Sequence, residues 1–396
     1  MGSLQSRCVW LVLTLALTAC SARCGDASGR SVSPPAPFRL GSIAAPRKVA
    51  TPASFDLVAT GEGAVLVFAA PQSEGGVLRA LSLDPRGTTR GREILVADRG
   101  TSGSPLLVTE VAVASAGGRL GVAWISHDSQ RHTDVFATYG GAEALAFAPS
   151  VSFGESVALP LGARGRLAMS ASDDGVLTLT LRRSAGPCNA PQGTCARYQH
   201  RRIGRPEAAA RGIESNEVPV PCEPFLPGDV WTGGVWYSGV CSAADGARSH
   251  VFAIRQEPSY AAVYDGPPGC VPIGIVALAD GAASVTRCAE GLQVARIGSD
   301  GRATLSTTRS VMTTACVAGE PELRATGAGG AITLPLDAPQ SRLEAFLPAR
   351  LAPEGARAVW TGESLLVAVP QGPDVFLRRY ACRPGSAELM RDDDGA

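Results

Sequence analysis

The chain has 396 residues, with 36 basic and 36 acidic side chains and a formal net charge of zero. Lys48 is the only lysine, and the arginines are scattered. This excludes the one-sided basic footprint of a nucleic-acid-binding surface, so no nucleic-acid partner is expected. The 46 glycines and 29 prolines argue against a helical protein and suit a chain with many turns.

The first predicted element is an export signal. A polar start carrying Arg7 precedes an apolar run from Cys8 to Ala19, too short to span a bilayer as a mature helix. It ends in Leu17-Thr18-Ala19-Cys20. This segment resembles the lipobox of bacterial lipoproteins, in which the cysteine is lipidated and becomes the new N-terminus. The resemblance implies that residues 1–19 are a cleaved signal peptide, that Cys20 is the lipid attachment site, and that the first partner is a membrane. Ser21, where an aspartate would signal inner-membrane retention, points to the outer membrane of the cell envelope. Residues 20–39 are small, polar and proline-bearing, which reads as a flexible tether containing Cys24.

From residue 40 to 384 the pattern is that of short strands. Apolar runs alternate with polar residues between glycine turns, and only Pro206 to Arg211 has a weak helical character. Seven turns share one shape, a Gly turn followed by a Val/Leu/Ala-rich strand: Gly61, Gly117, Gly175, Gly233, Gly281, Gly327 and Gly362 mark them. Each predicts a hairpin. A third strand is expected in most units, over 77–83, 135–139, 197–203, 251–255, 292–297, 342–346 and 375–380. A fourth is expected after turns such as Asp84-Pro85-Arg86-Gly87, over 93–97 and 303–307. Units of about 50 residues with three or four strands are the signature of an all-β fold of the β-propeller type. Seven blades are expected, and six or eight would also fit the span. Arg47 to Thr51, strand-like and just ahead of the first unit, is expected to close the ring by pairing into the last blade. Residues 385–396, ending near Asp392-Asp393-Asp394, are expected to be a disordered tail. The repeats resemble those of bacterial lipoproteins with divergent propellers, most clearly at Trp360 to Val369 and Leu57 to Gly87; this resemblance implies architecture and carries no catalytic residue.

Eight cysteines remain in the repeat region: Cys188, Cys195, Cys222, Cys241, Cys270, Cys288, Cys316 and Cys382. An even number in an oxidising compartment reads as a disulfide set. Sequential pairing is expected, with Cys188–Cys195 across a short Pro/Gly loop and Cys316–Cys382 joining the sixth unit to the seventh. No CxxC is present to hold zinc, and neither a metal nor another cofactor is expected.

Few residues carry recognisable chemistry. His127, Asp128, His132 and Asp134 form one polar cluster that could ligate a metal, or equally a solvated hairpin loop. Ala171 to Thr178 is similar to the Asp-box turn of sialidase-type propellers, but its serine stands one position late and the closing aromatic is missing. Trp231, Trp236 and Tyr237 offer an aromatic platform, although Trp231 and Trp360 occupy the same slot in their units, which favours core packing. GxSxG, HExxH and P-loop motifs are absent. The expected function is therefore binding or scaffolding of a protein or glycan partner rather than catalysis. The alternative is a propeller hydrolase acting on glycans, which would bring two or more carboxylates from different blades together.

Overall fold

The computed structural model describes residues 47–48, 54–72, 75–98, 107–127, 133–155, 167–171, 177–187, 194–203, 222–231, 234–243, 246–256, 259–268, 271–278, 281–289, 291–298, 303–317, 320–327, 330–334, 343–345, 347, 351–382 and 389–391. They belong to one compact unit spanning Leu40–Asp394. Among them the regular structure is almost entirely strand, in antiparallel meanders.

The first sheet is β2 (Phe55–Thr60), β3 (Gly63–Gln72), β4 (Gly75–Leu83) and β5 (Thr89–Ala97), in that order, preceded by the short β1 (Arg47–Lys48). The second is β6 (Leu107–Ala116), β7 (Arg119–His127), β8 (Thr133–Gly141) and β9 (Val151–Glu155). The third holds β10 (Leu167–Ala171), β11 (Leu177–Pro187) and β12 (Thr194–Ile203); the fourth holds β13 (Cys222–Trp231), β14 (Gly234–Ala243), β15 (Gly246–Gln256) and β16 (Ser259–Pro268). The next sheet runs through β17 (Val271–Leu278), β18 (Gly281–Cys288), β19 (Gly291–Gly298), β20 (Ala303–Val317), β21 (Glu320–Gly327) and β22 (Gly330–Leu334). The last consists of β23 (Arg357–Trp360), β24 (Leu365–Gln371), β25 (Asp374–Cys382) and β26 (Leu389–Arg391).

The first strands of the first five sheets pack against one another in sequence. β2 lies beside β6, β6 beside β10, β10 beside β13, β13 beside β17, and β23 returns to β2. Sequential meanders whose inner strands return to the first are the architecture of a β-propeller. The glycine landmarks Gly61, Gly117, Gly281, Gly327 and Gly362 fall at or beside the turn of an inner hairpin, as expected, whereas Gly175 and Gly233 lie outside the described residues.

Burial on both faces explains the nearly continuous apolar runs. On β6, Val111 and Val113 pack with β2–β4, whereas Ala112 and Ala114 pack with β10 and β11. Strand alternation thus supplies two cores from one strand. Trp124 on β7 is fully buried and stacks on Phe136, its cross-strand partner on β8, with ring centroids 5.6 Å apart.

The ring closes as expected. β1 pairs with β25 in the last sheet, Arg47 opposite Val375 and Lys48 opposite Asp374. The same edge of β25 also takes β26, with Tyr380 opposite Arg391 and Cys382 opposite Leu389. A second contact between first and last units joins two turns. Thr361 and Ser364 both donate their hydroxyls to the Pro85 carbonyl, the first at 2.7 Å, while Arg86 meets Glu363 at 3.3 Å. The Asp84 carboxylate shapes the receiving turn by accepting from the Arg86 and Thr88 amides at 2.9 and 2.7 Å.

One expectation is narrowed and two are corrected. First, the described strands form six sheets, one of the counts expected, because the fifth and sixth units share β20, whose residues 303–310 pair with β19 and 311–317 with β21. The 15 residues of β20 contain no glycine, proline, asparagine or aspartate to turn the chain between units. Second, the strand expected over 342–346 is instead a 3-10 turn, Leu343–Ala345, in a segment with Pro339 and Pro348 on either side. Third, the segment expected to be a tail from residue 385 contains β26, whose Leu389 and Met390 suit pairing with β25. The weak helix expected at Pro206 to Arg211 lies outside the described residues.

One glycine makes a sharp test. Gly63 opens β3 at φ 142°, and a Cβ there would stand 2.2 Å from the Leu83 carbonyl oxygen. Gly63→Ala is expected to cost about 2 kcal/mol or more in urea unfolding. Gly61→Ala, where a Cβ would meet nothing within 4 Å, should leave the midpoint nearly unchanged.

Candidate functional site

Charged residues of the inner strands converge where the last unit meets the first. Asp56 is the second residue of β2, Arg357 the first of β23, and Glu344 sits on the 3-10 turn just before β23. Arg357 Nε lies 2.9 Å from Asp56 Oδ1, and its Nη1 lies 3.0 Å from Glu344 Oε1. All three side chains keep only 12 to 16% of their exposure. Glu110 on β6 is more deeply buried still and acts electrostatically on the same arginine. Burial works against the charge of Arg357. Glu344 first, then Asp56 and Glu110, more than offset it and hold its pKa above the ordinary arginine value.

Each carboxylate also accepts a backbone hydrogen bond. Asp56 Oδ2 accepts from the Val113 amide on β6 at 2.9 Å. Glu110 Oε1 accepts from the Leu167 amide on β10 at 3.4 Å. Both contacts reach 57 residues ahead, one repeat and a short offset. Glu344 Oε2 does the same for the Ala358 amide of β23 at 3.2 Å. An inner strand has a ladder partner on one edge only, so its other amides need acceptors. Carboxylates from the preceding part of the chain supply them.

This cluster was not expected from the sequence. Its signal was present: a single acidic residue inside an otherwise apolar inner strand, in Phe55-Asp56-Leu57-Val58 and again in Thr109-Glu110-Val111-Ala112. Glu344 and Arg357 gave no such signal, since the 3-10 turn that aims Glu344 was expected to be strand.

The expected polar cluster is only partly described. His127 ends β7 opposite Thr133, whose hydroxyl lies 2.9 Å from His127 Nδ1, and Asp134 lies opposite Ser126. Asp128 and His132 lie outside the described residues, as do most of the Asp-box-like turn, Cys20, Cys24, Cys188 and Cys270. Among the described residues no group of three or more His, Cys, Asp or Glu side chains is arranged to hold a metal ion. Trp231 and Trp360 each end the first strand of an inner hairpin, so their equivalence holds in the backbone. Trp360 packs against the core of the closing sheet. Cys195, Cys222, Cys241 and Cys316 lie on β12, β13, β14 and β20. Cys288 and Cys382 are each joined in a disulfide.

No family model matches the chain, and no curated protein matches it. Among solved structures it is similar to the β-propeller domain of the Trilobed protease from Pyrococcus furiosus, at 9% identity over 86% of this chain and 98% of that one, with a TM-score of 0.45. It is also similar to a prolyl endopeptidase, at 10% identity and a TM-score of 0.43. That match covers 86% of this chain and spans half the length of the endopeptidase. A third is the Hadza microbial sialidase Hz136, at 10% identity over 80% of this chain and 75% of that one, TM-score 0.35. The propeller assignment stands on the strand pairing itself.

Removing Arg357 would strand Asp56 and Glu344 as buried, uncompensated carboxylates. Arg357→Ala is expected to lose about 3–5 kcal/mol of stability by urea titration. Glu344→Gln, which keeps an acceptor for the Ala358 amide, should lose clearly less than Glu344→Ala. A raised arginine pKa means the pairing contributes fully at neutral pH and fades only in strongly alkaline solution, so the loss in Arg357→Ala should hold at pH 6 and pH 9 alike.

Proposed function

We propose that this chain is an exported lipoprotein, held at a bacterial envelope membrane through lipid on Cys20, whose propeller binds or scaffolds a protein or glycan partner. The anchor is supported by the Leu17-Thr18-Ala19-Cys20 segment, with its apolar run and following polar tether. A closed ring of sheets needs no spanning helix to stay at a membrane, and multiple acylation of one cysteine supplies the two lipid signals that stable anchoring requires.

The observation that favours binding over hydrolysis is how the converging carboxylates are used. Asp56, Glu110 and Glu344 come from different parts of the ring, as a hydrolase would require. Asp56 and Glu344 are bound to Arg357, all three hold an amide of an inner strand, and all are largely buried. A general acid or base must reach substrate or water. These groups hold the ring together instead, which leaves loops around the rim as the recognition surface.

Two measurements test the reading. Radiolabelled palmitate should be incorporated into the wild-type chain and not into Cys20→Ala, which should partition away from detergent; labelling of the variant would remove the anchor from the proposal. Purified chain mixed with peptidoglycan sacculi, an envelope glycan, should release no reducing ends. Release that is lost in Glu344→Gln without loss of folding would turn the assignment to a glycan hydrolase.

A further inference from the structure

Two consecutive units open in the same way. β13 begins Cys222-Glu223-Pro224, and β17 begins at the second residue of Cys270-Val271-Pro272. In both, the pairing with the next strand slips immediately after the proline. The shift falls between Pro224 and Leu226 in β13 and between Pro272 and Gly274 in β17. β13 slips a second time between Pro227 and Val230. Proline has no amide to give a ladder, and a bulge leaves a residue unpaired. Both inner strands therefore start on a weakly paired stretch.

The register brings a second cysteine to that point. Cys222 is directly opposite Cys241 on β14. Opposite residues of an antiparallel pair have Cα atoms about 4.5–5.5 Å apart and side chains on one face. A disulfide spans Cα separations of about 4.4–6.8 Å. In the next unit Val271 is opposite Arg287, the residue before Cys288. Cys288 is engaged in a disulfide. By the same measure Cys195 lies opposite Gly186, which leaves Cys188–Cys195 without such directly facing positions.

We infer that Cys222 and Cys241 form a cross-strand disulfide at the base of the β13–β14 hairpin. The bond fastens an inner strand where its proline and bulge weaken the ladder. This rests on the exported reading, because such bonds form and persist in oxidising compartments. Closing it joins two sulfurs and passes two electrons and two protons to a disulfide oxidant of that compartment, which leaves as a dithiol.

Peptide mapping of the wild-type chain without reduction tests the assignment directly. Cleavage before Asp229 separates Cys222 from Cys241, so their peptides should remain joined until reductant is added. A free, alkylatable thiol at Cys222 or Cys241, or a bond from either to another cysteine, overturns the staple. Cys222→Ala, Cys241→Ala and the double variant should each lower the thermal midpoint by the same roughly 5 °C, since all lose one bond. Additive losses would overturn it. Palmitate labelling of the same preparation separates the two readings. Labelled chain with free thiols removes the staple and leaves export standing, whereas joined thiols without label remove only the anchor.

Discussion

A ring of sheets has an edge it cannot pair away. Each sheet's innermost strand has a ladder partner on one side, and its other side faces the neighbouring inner strands at an angle no ladder can bridge. Burying unpaired amides there costs about as much as losing hydrogen bonds outright. The chain answers with side chains. Asp56 serves Val113, Glu110 serves Leu167 and Glu344 serves Ala358. Carboxylates suit the task because charge-assisted hydrogen bonds are stronger than neutral ones. Carboxylates cannot be buried unpaired, however, and Arg357 answers the second need for Asp56 and Glu344 at once.

That arginine stands where the ring is most exposed to opening, between the last unit and the first. Three other contacts meet at the same seam. β1 lies along β25, the 361–364 turn sits on the Pro85 carbonyl, and Arg86 reaches Glu363. The surface ion pair adds little, since exposed pairs are screened and cost side-chain freedom. The two hydroxyls on one carbonyl and the buried Arg357 pairings contribute more per contact. β1 supplies only two residues of pairing, so main-chain bonds do not hold the seam by themselves. The buried charges and the turn-to-turn contact add to the hold on that seam.

The fold was legible because its signals are local. Gly-centred turns and alternating apolar runs announce hairpins without any knowledge of partners, and the described landmarks Gly61, Gly117, Gly281, Gly327 and Gly362 sit at inner hairpins. Closure by the residues around Arg47 was legible too, because a ring of meanders needs a strand from the other end of the chain. What local pattern could not show was where one unit stops. β20 reads as a fourth strand followed by a first strand, and only the absence of a turn-forming residue over Ala303–Val317 indicates that they are one. Glu344 illustrates the opposite failure. Leu343 to Ala345 has no marked strand or helix character of its own, and tertiary demand for an acceptor at Ala358 is met by a 3-10 turn.

The charged cluster was the hardest part to foresee, and it bears most on function. A sequence shows Asp56 and Glu110 as isolated acids in apolar strands, which is also how a catalytic pair on a propeller would look. One fact separates these readings, and it is not local. The recipient amides stand 57 residues further on in both cases, so the contacts recur with the repeat itself. A catalytic pair has no reason to follow the repeat, because it needs one asymmetric site; an edge amide recurs in every unit and calls for an acceptor in each. Periodicity of the partner, more than the presence of the acid, therefore marks these carboxylates as part of the framework.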